Sequence, residues 1–177
     1  MKIILISGKA QHGKDTSAAI LKEKLEDGGY KVVVAHYADL LKYICGKFFA
    51  WNGKKDDYGR HLLQYVGTDV IRKKSPNYWV DFLSEFFSIF SDEWDYAIIP
   101  DTRFPNEVDT MREKGFDTIH IRVKRENFES PLTPEQQMHP SEIALDDVTP
   151  DFWFVNNGSI EDLEKVIIHW VKENVNE

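Results

Sequence analysis

Near its N-terminus the chain reads Gly8-Lys9-Ala10-Gln11-His12-Gly13-Lys14-Asp15-Thr16, directly after the apolar run Ile3-Ile4-Leu5-Ile6 and before a segment with helical periodicity. The stretch fits the G-x-x-x-x-G-K pattern of a phosphate-binding loop, in the strand–loop–helix context that the pattern requires. Its glycines allow a tight bend whose backbone N–H groups face phosphate oxygens, and the helix that follows adds the positive end of its dipole. We therefore predict that Gly8, Gly13 and Lys14 bind a nucleotide phosphate; the alternative is a strand-to-helix turn with chance glycines.

The two residues after the lysine depart from the common form of this loop. Asp15 stands where a serine or threonine usually binds Mg²⁺, and the hydroxyl comes one residue later, at Thr16. A carboxylate can hold Mg²⁺ directly or through water, but an acid is also favoured at a helix N-terminus without any metal. Both interpretations of Asp15 stay open, and Thr16 is predicted to hydrogen-bond a nucleotide phosphate.

Apolar strands and helical segments alternate along most of the chain. The pattern predicts five strands at 3–7, 31–36, 96–100, 118–123 and 152–155, and flanking helices at 16–26, 107–114 and 160–172. Such alternation is typical of a doubly wound α/β fold with parallel strands. We predict one α/β domain over residues 1–177, with an approximately five-stranded parallel sheet and helices on both faces.

Two segments lie outside this alternation. Residues from about 39 to 91 are helical in pattern and rich in aromatic residues, most of which are predicted to be core, although one or two could stack on a base. The segment from Lys124 to Pro140 carries charge and three prolines without a clear period, which predicts a mobile loop.

Length, charge and cysteine content limit the classes of function. The 177 residues include 22 basic and 30 acidic side chains, a net charge of −8. This balance disfavours nucleic-acid polymers and anionic membranes as partners, but it allows small phosphorylated ligands. Cys45 is the single cysteine, predicted to be buried and inert, so an intrachain disulfide is excluded. No stretch predicts a signal peptide or a membrane span, so a cytoplasmic protein is expected.

A second acidic position follows the third predicted strand. Tyr96 to Pro100 is apolar and leads into Asp101, with Arg103 two residues later. In folds with a phosphate-binding loop such a carboxylate lies beside Mg²⁺ and orients its water, and a guanidinium at this sheet edge can bind a phosphate through two hydrogen bonds. In the alternative, Asp101 caps the helix that follows and Arg103 lies on the surface.

These motifs together resemble a known family. The Gly-Lys-Asp-Thr end of the loop and the block Asp101-Thr102-Arg103-Phe104-Pro105-Asn106-Glu107 resemble the bacteriophage deoxynucleoside monophosphate kinases and, more distantly, animal phosphomevalonate kinase. The loop is shared by many NTPases, whereas the Asp101–Glu107 block is specific. Further matches run in family order through residues 38–42, 60–72, 79, 139–142 and 157–159.

The resemblance implies a three-layer P-loop kinase fold, with a helical acceptor-binding insertion at about 37–92 and a lid at about 124–142. It implies ATP as phosphate donor with Mg²⁺, and it assigns the acceptor side to Asp39, Lys42, Arg60, Gln64, Thr68 and Arg72. Lys42, Arg72 and Arg103 could together clamp the acceptor phosphate, and Gln64 and Thr68 offer polar groups to a base or sugar. A helix cap is the alternative role for Asp39 and for Thr68.

The lid has its own candidate residues. Arg122 and Arg125 flank its start, and we expect at least one of them to close over the nucleotide phosphates and exclude water; a solvated charge cluster is the alternative. His12 is expected to present its backbone rather than its imidazole. For His139–Glu142 the sequence suggests only a lid hinge or a helix cap by Ser141.

The sequence thus predicts in-line phosphoryl transfer from ATP to a (deoxy)nucleoside monophosphate, giving the diphosphate. Lys14, Arg103 and Arg125 are the predicted catalytic residues; Gly8, Gly13, Lys14, Asp15, Thr16, Arg122 and Arg125 bind the donor; Asp15 and Asp101 are the candidate Mg²⁺ ligands. The alternatives are a phosphomevalonate-type kinase and an ATP-binding regulatory module without catalysis. A homodimer is left open, the compartment would be the host cytoplasm if the gene belongs to a phage, and the base is not specified.

Overall fold

A computed structural model describes residues 1–175. The elements run in the order β1 (Lys2–Ser7), α1 (Lys14–Asp27), β2 (Val32–Val34), α2 (Tyr37–Phe48), α3 (Asp57–Gln64), a π-helix (Tyr65–Arg72), α4 (Tyr78–Ile89), β3 (Tyr96–Thr102), α5 (Pro105–Glu113), β4 (Asp117–Lys124), α6 (Pro134–Gln137), α7 (Pro140–Ile143), β5 (Phe152–Val155) and α8 (Ile160–Asn174). The predicted domain, 1–177, ends in two residues that lie outside this described part.

The five strands form one parallel sheet in the order β2-β3-β1-β4-β5. The apolar run of β1 is central because its residues are buried against neighbours on both sides. Ile4 and Ile6 face a core shared with α1 and α8, whereas Ile3 and Leu5 face a second core shared with α2, α4 and α5. Helices therefore cover both faces, which confirms the predicted three-layer fold with a five-stranded parallel sheet.

This topology brings the functional segments to one edge of the sheet. The carboxyl ends of β1, β3 and β4 are adjacent, and they lead into the glycine-rich loop, the Asp101–Glu107 block and the lid segment, respectively. Ligands bind at this edge in open α/β sheets. Within residues 1–175, no helix combines the length and the apolarity that crossing a membrane would require.

The helical insertion contains an element that the sequence pattern did not predict. Helix α3 continues directly into the eight-residue π-helix. Such wide turns are rare in proteins, and those that occur are often found at functional sites. The π-helix carries Thr68 and Arg72, and the carbonyl of Gly67 accepts a hydrogen bond from the indole N–H of Trp79 at 3.1 Å. Gly67 also allows close packing, because a Cβ there would lie 2.7 Å from a methyl group of Leu41.

The segment predicted as a mobile lid loop contains the short helices α6 and α7. Thr133 caps α6 by accepting a hydrogen bond from the backbone N–H of Gln136, and proline occupies the first turn. His139 caps α7 through Nδ1, which accepts from the backbone N–H of Ser141 at 3.2 Å, so the cap is His139 and not Ser141. Four-residue helices are too short to show periodicity, which explains why the pattern predicted none.

Candidate active site

The glycine-rich loop joins β1 to α1 in the conformation that its glycines permit. Gly8 has φ +149° and Gly13 has φ +101°, values that other residues rarely adopt. Both glycines also need the absence of a side chain, since a Cβ on Gly8 would lie 2.5 Å from the carbonyl oxygen of Val123 and one on Gly13 would lie 2.6 Å from Asn156 Nδ2. The loop is therefore held against the end of β4 and the segment after β5.

Lys14 is the first residue of α1, and its side chain folds over the loop. Its Nζ donates to the carbonyl oxygens of Gly8 at 2.7 Å and Lys9 at 2.9 Å. Burial, with the nearby Arg103 guanidinium, lowers the pKa of Lys14 to about 8. Asp15 and Thr16 follow in the first turn with exposed side chains. The helix N-terminus, the loop N–H groups and this ammonium together form an anion-binding environment.

A cavity of about 230 Å³ opens beside the loop, between the helical insertion, the Asp101–Glu107 block and the lid. The structure brings six of the seven residues predicted for the acceptor side to its wall: Lys42, Arg60, Gln64, Thr68, Arg72 and Arg103. Asp39 lies outside the wall. It accepts from the backbone N–H of His36 in a capping box at the start of α2, and its carboxylate pairs with Lys42 at 2.9 Å.

Asp101 also lines this cavity, but it is committed to the backbone of the neighbouring helix. Its two carboxylate oxygens accept from the N–H groups of Tyr37 at 3.0 Å and Ala38 at 2.9 Å, so it caps α2 rather than α5, the helix that follows it. Burial raises the pKa of Asp101, whereas these N–H groups lower it.

The acids present fit Mg²⁺ only as part of a mixed ligand set. Within residues 1–175, no group of three or more His, Cys, Asp and Glu side chains is arranged to hold a metal ion. Mg²⁺ retains several waters and commonly binds through one or two carboxylates together with phosphate oxygens. Asp101 at the cavity wall and Asp15 at the N-terminus of α1 are compatible with that kind of site.

Arg103 is held across the cavity by the lid. Its guanidinium donates to the backbone carbonyl of Ser141 at 3.1 Å and forms an ion pair with Glu142. Glu142 in turn accepts from the backbone N–H of Ala10 in the glycine-rich loop, at 3.2 Å. The segment after β4 therefore contacts both the glycine-rich loop and the cavity wall through one carboxylate.

The two candidate lid arginines have different environments. Arg122 is buried at the end of β4, where it donates to the carbonyl of Leu145 and pairs with Asp146 at 2.6 Å. Arg125 lies 4.7 Å from the ring of Phe128 and, with Arg122, lines a second cavity of about 250 Å³ beside the loop.

His12 differs from the sequence-based expectation because its imidazole is engaged as well as its backbone. Its Nδ1 accepts from the backbone N–H of Arg125 at 3.2 Å, and its ring meets the edge of Phe128. Its carbonyl accepts from Asn156 at 3.0 Å. Burial, followed by the charge of Lys14, lowers the pKa of His12 and favours the neutral ring that this acceptor role requires.

Several cavity residues were not assigned by the sequence reasoning. Lys55, Tyr37, Phe104, Glu107 and Glu142 also line the cavity that contains the predicted acceptor residues. Glu107 and Glu142 stand inside the two blocks that match the resembled family, so their positions were noted but their roles were not. Five basic residues and three acidic ones line this cavity, which is an arrangement suited to a phosphorylated ligand.

Comparison with known proteins agrees with this geometry. A family model described as deoxynucleotide monophosphate kinase matches residues 35–167. The deoxynucleotide monophosphate kinase of Enterobacteria phage T4 is 33% identical over 115 residues, which cover 64% of this chain and 45% of the phage protein. A protein of Acanthamoeba polyphaga mimivirus that carries the same family name is 29% identical over 198 residues, covering 97% of this chain and 96% of the relative.

The chain thus spans less than half of the T4 relative and nearly all of the mimivirus relative. Among solved structures, Mycobacterium tuberculosis APS kinase in complex with AMPPNP and APS is similar in fold, with a TM-score of 0.56, 13% identity and 97% of each chain covered. Because the family model covers most of the sequence, the assignment follows from it. The chain belongs to the deoxynucleotide monophosphate kinase family.

Proposed function

We propose that this protein transfers the γ-phosphate of ATP to the phosphate of a deoxynucleoside monophosphate, giving the diphosphate and ADP. The observation that carries the proposal is the cavity that Lys42, Arg72 and Arg103 line together with Ala10 of the glycine-rich loop. An acceptor phosphate bound by these cations would face a donor phosphate bound by the loop. The names of the viral relatives support a deoxynucleotide as acceptor.

Phosphoryl transfer requires the protein to position the two phosphates and to neutralise their charge, and it does not require a covalent intermediate with a side chain. The attacking oxygen of the acceptor phosphate is already ionised, so no general base is needed. Lys14, Arg103 and Arg125 would balance charge on the transferred group, and Gly8, Gly13 and Thr16 would bind donor phosphates through backbone and hydroxyl groups. Mg²⁺, with Asp15 and Asp101 as its candidate protein ligands, would neutralise donor phosphate oxygens. Closure of the lid would keep water from the donor phosphate.

ATP as the donor is supported by the loop and by the fold shared with an APS kinase whose complex contains AMPPNP. Small nucleotides are the proposed partners, without a nucleic-acid polymer or a membrane, and a homodimer stays a prediction. The phage relative supports a cytoplasmic enzyme, in the host cell if the gene is carried by a phage.

A coupled ADP-release assay across an acceptor panel tests the proposal. The panel holds the four common deoxynucleoside monophosphates, their ribose counterparts and phosphomevalonate, each with ATP and Mg²⁺. At least one deoxynucleoside monophosphate should stimulate ADP release. Stimulation by phosphomevalonate alone would assign the other kinase class, and ATP binding without any stimulation would assign a regulatory module.

Donor binding should weaken as pH rises, because the free protein holds Lys14 with a pKa of about 8. Phosphate binding favours the charged ammonium, so the bound state has the higher pKa and affinity is lost as pH rises through the free-state value. From pH 7 to pH 9 the Kd for AMPPNP should rise about tenfold, since the competent fraction falls by that factor. Calorimetric titration at several pH values measures this change.

The matched variant for this pH series is Lys14→Arg, whose guanidinium stays charged over the range. Its Kd should show a much smaller slope, and ionisation of the nucleotide itself affects both proteins equally. Equal slopes for wild type and Lys14→Arg would contradict the prediction.

A further inference from the structure

Glu107, in the first turn of α5, is a buried carboxylate that reaches two different parts of the acceptor cavity. It is 2% exposed, and its Oε1 accepts from Nη2 of Arg72, 35 residues earlier in the chain. Its Oε2 accepts from the backbone N–H of Arg103 at 2.7 Å and of Phe104 at 3.1 Å. One side chain thus connects the π-helix, which carries Arg72, to the strand end that carries Arg103.

The guanidinium of Arg72 is fixed on several sides. Besides Glu107, it donates to Asn106 Oδ1 at 3.1 Å and to the carbonyl of Pro76 at 3.2 Å, and it lies 3.9 Å above the ring of Phe104. Only 12% of this side chain is exposed. A guanidinium constrained in this way has little rotamer freedom left to lose when a ligand binds.

A purely structural role for Glu107 explains only half of these contacts. A capping box at the start of α5 needs the hydrogen bond to the N–H of Phe104, and it does not need Arg72. The bond to Arg72 joins the π-helix to α5, and both elements contribute residues to the cavity wall. Its consequence is to hold a cation where the proposed acceptor phosphate binds.

We infer that Glu107 is a positioning residue that holds the Arg72 guanidinium and the Arg103 backbone in place for the acceptor phosphate. This inference deepens the proposed function and rests on it. Preorganised binding groups lose less entropy on ligand binding than mobile ones. Loss of the carboxylate should therefore weaken acceptor binding and leave donor binding nearly unchanged.

The test compares Glu107→Gln with the wild type. The glutamine keeps the shape and one acceptor oxygen, but it loses the ion pair. The Kd and KM for the deoxynucleoside monophosphate should rise about tenfold, the equivalent of one charge-assisted hydrogen bond, and the KM for ATP should change less than about twofold. In an Arg72→Ala background, Glu107→Gln should add almost nothing, because the glutamine oxygen can still accept from the Arg103 N–H and only the contact with Arg72 is lost.

Glu113→Gln is the matched control, since it removes the same charge from the exposed end of the same helix. If Glu107→Gln does not fold, Asn106→Ala removes another hydrogen bond to Arg72 and should raise the acceptor KM by a smaller factor. An equal rise in the KM for ATP, or additivity with Arg72→Ala, would overturn the inference. Calorimetric Kd values for the acceptor test the inference about Glu107 even if the protein shows no turnover. Acceptor binding without phosphoryl transfer would refute only the proposed function.

A second carboxylate, Glu142 of the lid, carries an independent inference. Its side chain is 8% exposed; the carboxylate accepts from the Ala10 N–H and pairs with Arg103, while its backbone carbonyl accepts from Nζ of Lys9 at 2.7 Å. Backbone N–H groups of a glycine-rich loop and a guanidinium are the groups that phosphates use. The carboxylate therefore has the partners expected of a phosphate oxygen.

We propose that Glu142 is a lid latch that competes with a donor phosphate for the Ala10 N–H and with the acceptor phosphate for the Arg103 guanidinium. The single Ala10 N–H cannot be shared between a carboxylate and a phosphate oxygen, so a donor phosphate in the loop displaces the carboxylate and moves α7. Lys9 and Arg122 both pair with Asp146, at 2.6 Å in each case, which keeps this segment tethered when Glu142 leaves.

Glu142→Gln tests the latch with AMPPNP as the titrant. The neutral variant should bind AMPPNP about tenfold more tightly, because an uncharged competitor is easier to displace. Glu135→Gln removes the same charge from helix α6 of the same lid and should leave the Kd unchanged. Hydrogen exchange of residues 139–146 in the wild type should increase when AMPPNP binds. Weaker or unchanged AMPPNP binding by Glu142→Gln, or slower exchange, would refute the latch.

Discussion

Replacing Lys14 by alanine should reduce kcat/KM for phosphoryl transfer by about 10³-fold or more, the scale on which transition-state charge stabilisation acts. The ammonium lies at the N-terminus of α1, directly above the loop carbonyls of Gly8 and Lys9. A donor phosphate in the loop would give this group a stronger partner than either carbonyl. Alanine leaves the loop N–H groups intact, so some nucleotide binding should remain while transfer is lost.

The same change should leave the fold intact. Burial lowers the pKa of Lys14 to about 8, which means that the protein holds this charge at a cost in stability. Its hydrogen bonds go to neutral carbonyl oxygens, so alanine leaves no buried carboxylate without a partner. The thermal midpoint of Lys14→Ala should therefore equal or slightly exceed that of the wild type.

Lys22→Ala is the matched control, because Lys22 lies on the same helix in an exposed ion pair with Glu26 at 3.2 Å. It should change neither turnover nor the thermal midpoint appreciably. Steady-state kinetics measures the turnover of both variants, and a thermal melt measures their thermal midpoints. Turnover by folded Lys14→Ala within tenfold of the wild type would remove Lys14 from the proposed chemistry.

The fold could be predicted because its signals are local. The buried run of β1, the glycine pattern and the periodicity of α1 lie within the first 27 residues, and they define a strand–loop–helix unit without any long-range information. The same is true of β3 and of the polar block that follows it. Parallel strands then bring these segments to one edge, as the predicted sheet requires.

The contacts that shape the site could not be predicted because they join distant parts of the chain. Lys9 meets the backbone of Glu142 across 133 residues, and Arg72 meets Glu107 across 35. Both acids lie inside blocks that match the resembled family, but nothing local in either block indicates the distant cation with which it pairs. The π-helix was likewise hidden, since its apolar residues fit a helical period and only the backbone of the folded chain shows the wider turn.

Arg103→Ala should lower kcat/KM for the deoxynucleoside monophosphate by about 100-fold, equivalent to roughly 2.7 kcal/mol of lost charge-assisted hydrogen bonding. Among the three proposed clamp cations, Arg103 is linked to the phosphate loop through a single residue, because Glu142 contacts both its guanidinium and the N–H of Ala10. Arg103→Lys should recover only part of the loss, since an ammonium keeps the charge but not the two-pronged geometry of a guanidinium.

Because Arg103 also contacts the lid, the KM for ATP of Arg103→Ala distinguishes a role in holding the lid from a role in binding the acceptor phosphate. If Arg103 served only to hold the lid through Glu142, alanine would loosen the lid and change the KM for ATP as much as that for the acceptor. If it binds the acceptor phosphate, the KM for ATP should stay within about threefold, because the loop and Lys14 are unchanged. Arg112→Ala is the control, since that guanidinium is exposed on α5 and pairs with Asp151 at 2.6 Å. Unchanged acceptor kinetics in folded Arg103→Ala would remove the residue from the clamp and leave Lys42 and Arg72 as its cations.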